Sequence, residues 1–207
     1  MLADFIKAFV QAYLAPQASA RAILSSGASV GTALLLVVLG YLLTMVVLIL
    51  TPGIEMPKDI GPVDRHLFGL ISSAISFFVI STLVYFFGKV SGGTGTREQT
   101  YVIVGWHGVV TAILSAPVNL MMADFNLPET AKSTAEIQVP DGGTIGLAIV
   151  AIVIWCWLLA HFITALHNFK NFWGVAAVVM GIPVALGFFF VNVFGALSTL
   201  STHGLAQ

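Results

Sequence analysis

Residues 88–108 read GKVSGGTGTREQTYVIVGWHG, a polar segment with four glycines in its first ten residues, followed by an apolar run. A phosphate-binding loop of the G-x-x-x-x-G-K-[S/T] type follows a strand and places its lysine directly after the last glycine. Here Lys89 follows the first glycine, and no strand pattern precedes it. The stretch therefore predicts no nucleotide site.

The same stretch contains the signals of a turn between two helices. Thr96 and Gln99 have the spacing of a capping box, which begins a helix. Gly92, Gly93 and Gly95 are expected to supply backbone angles that other residues resist. We therefore predict that one apolar helix ends near residue 88 and that a capped helix begins near residue 97.

The composition of the 207-residue chain is that of a membrane protein. Hydrophobic residues make up 58% of the chain and charged residues 8%, and the mean hydropathy is +1.00. Soluble domains carry about 25% charged residues, so this chain cannot cover itself with polar surface. The formal net charge of −1 offers no basic patch to phosphates, which predicts no nucleic-acid partner. The lone Cys156 lies between two tryptophans and is interpreted as a small core residue.

Five apolar stretches are long enough to cross the hydrocarbon core, which takes about 20 residues. None of them contains Asp, Glu, Lys or Arg. The predicted fold class is an all-α integral membrane protein with five transmembrane helices, preceded by an N-terminal amphipathic interfacial helix. We expect an amphipathic segment (1–30), a five-helix transmembrane domain (31–197) and a short outer tail (198–207). The predicted spans are Gly31–Leu50, His66–Gly88, Thr100–Ala123, Thr144–Leu166 and Phe172–Leu197.

The N-terminal stretch MLADFIKAFVQAYL places apolar side chains on one helical face and polar side chains on the other. This spacing predicts an amphipathic helix that ends at Pro16 and continues as a short link to the first span. The face that carries Phe5, Phe9 and Tyr13 has two predicted contacts. One is the headgroup layer of the membrane, and the other is a partner protein at membrane level.

Basic residues are unevenly distributed between the two sides of the predicted bundle. Five lie on the side that holds the N-terminus and three on the other side. Because positive charge favours the cytoplasm, we expect a cytoplasmic N-terminus and a periplasmic C-terminus. Lys89, Arg97, His167 and Lys170 cluster where the two cytoplasmic loops meet the headgroups. They are predicted to contact anionic lipid headgroups or a protein partner.

Three segments resemble the Yip1 family of five-span membrane proteins. SGGTGTREQTYVIVGW (91–106) is similar to that family's second cytoplasmic loop and third helix, and AIVIWCWLLAHFITALHNF (151–169) is similar to its fourth helix. PQASARAIL (16–24) is similar to the amphipathic lead-in of bacterial members. The resemblance spans residues 12–195. It implies a protein of the bacterial inner membrane without catalytic residues, whose partners are membrane lipids and another integral membrane protein or complex.

The functional prediction is a non-enzymatic membrane scaffold or assembly factor, since the hydrolase motifs H-E-x-x-H and G-x-S-x-G do not occur in the sequence. The alternative is a small transporter or channel for an ion or small solute. Pro117 and Pro183 lie inside predicted spans, and a proline there frees a backbone carbonyl, as in the broken helices of transporters. The in-span amides of Asn119 and Asn192 are interpreted as packing residues.

Two histidines inside predicted spans, His107 and His161, are expected at a similar depth. Ionisable residues in the membrane are functional candidates by default. A facing pair of imidazoles is able to ligate haem iron or, with further ligands, a transition metal. The competing interpretation is that each ring bonds to a neighbouring hydroxyl or carbonyl and fastens helices together. The prediction is no cofactor and no metal, with this pair as the alternative site.

Overall fold

The structure, a computed structural model, describes residues 2–26, 29–51, 61–125 and 142–181. Within these ranges the secondary structure is entirely helical, which confirms the all-α prediction. The helices are α1 (Leu2–Leu14), α2 (Pro16–Ser25), α3 (Val30–Leu50), α4 (Pro62–Val90), α5 (Arg97–Thr111), α6 (Ser115–Phe125), α7 (Gly142–His167) and α8 (Phe172–Gly181). A 3-10 turn, Ala112–Leu114, joins α5 to α6.

Four of the five predicted spans are helices long and apolar enough to cross a membrane. They are α3, residues His66–Val90 of α4, the kinked rod Arg97–Leu120, and α7. Of the fifth predicted span, the described part is α8, a short apolar helix. The rest of that span and the predicted tail (198–207) lie outside the described residues.

The rod from α5 to α6 is interrupted by the 3-10 turn, here called the bend, which lies just before Pro117. Proline has no amide hydrogen, so the carbonyl of Ile113 loses its helical partner and the ladder is interrupted. The Ser115 hydroxyl donates to the carbonyl of Ala112 at 2.6 Å, and Asn119 donates from Nδ2 to the carbonyl of Ser115 at 2.8 Å. The polar side chains around the bend thus bond to the backbone of their own helix.

Helix α5 lies at the centre of the bundle and packs along α3 through glycines. A Cβ on Gly40 would lie 3.2 Å from the backbone carbon of Gly108, and a Cβ on Gly105 would lie 3.1 Å from the carbonyl oxygen of Ala33. Small residues of this kind let transmembrane backbones approach closely. The two helices therefore depend on the missing side chains for their contact.

Residues 16–25 form a second helix, α2, and the prediction of a short link there was wrong. Pro16 is the first helical residue, where its fixed φ and missing amide favour a helix start. The small residues Ser19 and Ala20 are buried and let α2 pack against α5 and α7. The indole Nε1 of Trp106 donates to Ser19 Oγ at 3.2 Å.

The last turn of α1 is part of the bundle rather than a free surface helix. Ala12 is fully buried, and Phe9 and Tyr13 pack against the same core. The Tyr13 hydroxyl donates to the carbonyl of Val110, thirteen residues after Arg97 and thus about 20 Å along α5. The described part of segment 1–30 therefore packs with the transmembrane helices.

Candidate functional site

The ends of α4 and α7 and the start of α5 meet in one unit, here called the turn junction (residues 88–97 and 164–169). Helix α4 ends in a Schellman motif. The amide of Gly93 donates to the carbonyl of Gly88 at 2.8 Å, and the amide of Gly92 donates to the carbonyl of Lys89 at 3.0 Å. Gly92 has a φ of +81°, which glycine adopts without steric cost. These bonds end the helix and turn the chain.

The start of α5 is fixed by the predicted capping box, which the structure confirms. Thr96 Oγ1 accepts from the amide of Gln99 at 3.2 Å, and Gln99 Oε1 accepts from the amide of Thr96 at 3.0 Å. A helix, α4, precedes the glycines. The glycine segment is therefore a turn between two helices.

The end of α7 is joined to this turn by backbone and side-chain bonds. Asn168 has a φ of +55°, and the amide of Phe169 donates to the carbonyl of Thr164 at 3.1 Å, a bond typical of a Schellman end. The amide of Thr94 donates to the carbonyl of His167 at 3.3 Å. Asn168 Nδ2 donates to Thr94 Oγ1 at 3.0 Å. Two loops that are far apart in sequence are thus held as one surface.

The ring of His167 fills the space between three glycines of the turn. A Cβ on Gly88 would lie 2.1 Å from Nε2 of the ring, a Cβ on Gly93 would lie 2.4 Å from Nδ1, and a Cβ on Gly95 would lie 3.0 Å from Nδ1. The side chain is 1% exposed. The expectation that Gly93 and Gly95 supply special backbone angles was therefore wrong: they make room for a histidine.

Sequence reasoning placed His167 in the cytoplasmic cluster with Lys89, Arg97 and Lys170 but did not predict its packing against the glycines. Its glycine partners lie over seventy positions earlier in the chain, and no local periodicity connects them. The available signal was an excess of glycine, because a Schellman turn needs one glycine and this segment contains four.

Two of the predicted cationic contacts, Lys89 and Arg97, come together over one aromatic ring. Lys89 Nζ lies 5.9 Å and the Arg97 guanidinium carbon 5.6 Å from the centroid of the Tyr85 ring, within cation–π range. Both cations are exposed. This pair is a positively charged point on the outside of the turn junction.

The third predicted cation, Lys170, lines a different feature. It is exposed and stands at one end of a groove between α4, α7 and α8. Lys89 and Arg97 therefore share the Tyr85 ring, whereas Lys170 lines the groove.

The predicted apolar face of α1 is turned mainly toward the protein. The Phe9 and Tyr13 rings lie 5.7 Å apart and are half-buried against the core. Burial raises the pKa of the Tyr13 hydroxyl from 10.0 to about 12, which keeps it a hydrogen-bond donor at neutral pH. Phe5 belongs to α1, and its side chain lies outside the described part of the structure.

The predicted apolar face of α1 also contains a stripe that was not among the selected contact residues, and this stripe faces outward. Ile6, Val10 and Leu14 are 53%, 48% and 81% exposed. They recur every four residues and so lie on one side of the helix. This stripe, rather than Phe9 and Tyr13, is the part of α1 that is open to lipid or to a partner.

His107 and His161 have separate partners. His107 Nε2 lies 3.1 Å from the carbonyl oxygen of Trp155, and His161 Nδ1 lies 3.3 Å from Gln17 Nε2 while its ring stacks on Phe172. Trp155 is six residues from His161, about 9 Å along the axis of α7. Each ring fastens a pair of helices, and the described residues contain no group of three metal-ligating side chains.

Comparisons with known proteins give one match. The family model of the Yip1 domain matches residues 10–194, which covers all the membrane helices and the turn junction. A search of curated proteins and a search of solved structures find no match. The matched range contains the segments 16–24, 91–106 and 151–169, on which the resemblance to this family rested. The chain is therefore a member of the Yip1 domain family of integral membrane proteins.

Proposed function

We propose that the protein is a non-enzymatic scaffold or assembly factor that binds another integral membrane protein or complex through the turn junction. The observation that carries this proposal is the Lys89–Arg97 pair over Tyr85. Two exposed cations on one ring form a docking point for an acidic segment of a partner, because opposite charges at an interface give specificity and speed association.

The rigidity of the turn junction supports a binding role. Two helix ends and one helix start are closed by their own bonds, and His167 packs into the glycines behind the charged pair. A preorganised surface loses less conformational entropy on binding than a flexible loop does. Such a surface suits recognition, and it holds no acid–base pair suited to catalysis.

The proposed setting is the bacterial inner membrane, with the N-terminus in the cytoplasm and the C-terminus in the periplasm. The excess of basic residues on the side of the turn junction supports this orientation through the positive-inside rule. The turn junction then faces the cytoplasm, where anionic lipid headgroups and partner loops are both available. The outward stripe of α1, formed by Ile6, Val10 and Leu14, would lie against lipid or against the same partner.

The test is purification of the full chain in a gentle detergent, followed by mass spectrometry of the proteins that remain bound. We expect one stoichiometric partner with the wild type, and loss of that partner in the Lys89→Gln/Arg97→Gln double variant. Arg21→Gln removes an exposed cation of α2 and is the matched control, which should retain the partner. Equal recovery of the partner with all three proteins would refute docking at the turn junction.

A second candidate function, a small transporter or channel, rests on a cavity at the bend of the α5–α6 rod. The cavity volume is about 430 Å³, and Thr44, Thr111, Ser115 and Asn119 are among the lining residues. Thr111, Ser115 and Asn119 already donate to carbonyls of their own helix, which favours packing over a solute path. Ion or solute flux in proteoliposomes that Asn119→Leu reduces would raise this candidate above the scaffold.

A further inference from the structure

A long groove runs between α4, α7 and α8. Its volume is about 780 Å³, within the range of about 300–1,000 Å³ that is typical of ligand sites. The walls are apolar for most of the length, with Leu83, Phe87, Leu159 and Val178 among them. The Lys89–Arg97 pair is not needed for the argument that follows.

The polar lining residues of the groove are confined to one end. Ser91, Lys170 and Asn171 line the end where α4 and α7 finish, whereas Ile80 and Val179 line the other end. A groove that is polar at the mouth and apolar at depth matches an amphipathic ligand with its head at the membrane surface and its tail in the hydrocarbon.

The length of the groove matches one leaflet of a bilayer. Ile80 and Ser91 line its two ends on α4, and eleven helical residues span about 16 Å. The hydrocarbon core of a bilayer is about 30 Å thick, so one leaflet takes about 15 Å. An acyl chain that starts at the mouth of the groove therefore reaches its deep end near the bilayer midplane.

The mouth of the groove carries positive charge. Lys170 supplies a cation, and α8 begins two residues later with Asn171 as its cap, whose Oδ1 accepts from the amide of Gly174 at 3.0 Å. The start of a helix has partial positive charge, and among the described residues that line the groove there is no Asp or Glu. Trp173, on the first turn of α8, is 78% exposed, as expected for a side chain at headgroup level.

We propose that this groove binds one anionic phospholipid of the surrounding membrane. The acyl chain lies along the apolar walls between α4, α7 and α8. The phosphate of the headgroup contacts Lys170 and the N-terminal end of α8. The proposal does not rest on the scaffold function, since Lys170 and the apolar walls are distinct from the Lys89–Arg97 pair, although Gly88, Ser91 and Phe169 of the turn junction also line the groove.

The test is native mass spectrometry of the purified full chain titrated with phosphatidylglycerol or with phosphatidylcholine. We expect saturable binding of one phosphatidylglycerol and weaker binding of phosphatidylcholine. Lys170→Gln should weaken phosphatidylglycerol binding about fivefold, because a lysine at the surface contributes about that factor toward an anionic lipid. Arg21→Gln removes an exposed cation of α2 that does not line the groove, and should leave binding unchanged.

The walls are tested by filling the groove. Val178→Trp places a large ring in the groove and should weaken binding about tenfold by displacing methylene groups. Val153→Trp is the matched control, since Val153 and Val178 are 49% and 52% exposed and Val178 alone of the two lines the groove. The absence of saturable binding, or equal binding by Val178→Trp and the wild type, would overturn the proposal.

A further measurement decides the matter if Val178→Trp does not accumulate. Trp155 also lines the groove, so phosphatidylglycerol with brominated acyl chains should quench its fluorescence in the wild type, and Trp155→Phe should remove that component. Quenching that Trp155→Phe leaves unchanged would contradict the proposal. The two proposals are separated by the double variant Lys89→Gln/Arg97→Gln. If it loses the protein partner but binds lipid normally, the docking proposal and the lipid proposal stand or fail independently.

Discussion

Helices α3 and α5 pack along each other, and they meet their surroundings in opposite ways. In the 18-residue apolar stretch of α3 that is able to cross the membrane, 11% is buried inside the protein. In the corresponding stretch of the rod that begins with α5, the buried share is 56%. The buried side of α3 consists of Ala33 and Gly40, which touch α5. Most of the other side of α3 is apolar and open, as expected for a helix that faces lipid.

Helix α5 carries buried polar residues because protein surrounds it, whereas Thr32, Tyr41 and Thr44 of α3 are not buried. Thr100, His107 and Thr111 are buried, and each bonds to a backbone carbonyl. A polar group in hydrocarbon needs a hydrogen-bond partner. In α5 these partners are backbone carbonyls of the helix itself or of a neighbouring helix. A polar residue within a span of this bundle therefore indicates a position at the centre of the protein, and is not by itself evidence of a functional site.

The largest effect that tests this comparison is expected at Trp106. Trp106 is 2% exposed on α5, whereas Trp173 is 78% exposed on α8. Trp106→Ala should lower the free energy of unfolding by about 3–5 kcal/mol, because it leaves a cavity and frees the Ser19 hydroxyl. Trp173→Ala should change it by less than about 0.5 kcal/mol. Reversible unfolding in mixed detergent micelles measures both, and similar losses would show that α5 is not the central helix.

The next effect concerns the glycines of the turn junction. Gly88→Ala should lower the free energy of unfolding by about 1–3 kcal/mol, because the new methyl group meets the ring of His167. Gly146→Ala, where a Cβ has open space, should be neutral or stabilising by up to about 1 kcal/mol. When His167 is already alanine, adding Gly88→Ala should cost much less free energy of unfolding than it costs in the wild type, since contacting residues couple. Additive losses would show that the clash lies elsewhere.

The comparison also explains how much of the fold could be read from the sequence. Apolar runs of spanning length and the Thr96–Gln99 capping box are local patterns, and local physics determines them. The same patterns located the turn junction. Helix α2 was not predicted, because a proline such as Pro16 is compatible with a helix stop as well as with a helix start. The packing of Ser19 on Trp106 that holds α2 also depends on a distant part of the chain.

The candidate sites were only partly predictable for a similar reason. Lys89 and Arg97 were found by counting charges, and Tyr85 lies one helical turn before Lys89, so part of their contact was readable from helix geometry. The packing of His167 against glycines, the groove of Lys170 and the inward turn of Tyr13 all join segments distant in sequence. Such contacts follow from how helices pack, which a single sequence does not encode locally.

The smallest predicted effect tests whether α1 belongs to the bundle. Tyr13→Phe removes the bond to the Val110 carbonyl and should cost about 0.6 kcal/mol, the average for hydrogen bonds between membrane helices. Ser25→Ala removes an exposed side-chain bond of α2 to Ala22 and should cost less.

The pH dependence of stability adds a second readout. The pKa of Tyr13 is about 12 in the folded protein against 10.0 in the unfolded chain, so the unfolded chain loses this proton first. Wild-type stability should therefore fall from about pH 10 toward pH 12, and Tyr13→Phe should remove that part of the decline. Unfolding measured across this range decides it: identical pH profiles for the two proteins would mean that Tyr13 is solvated, and that α1 lies on the membrane surface instead of against α5.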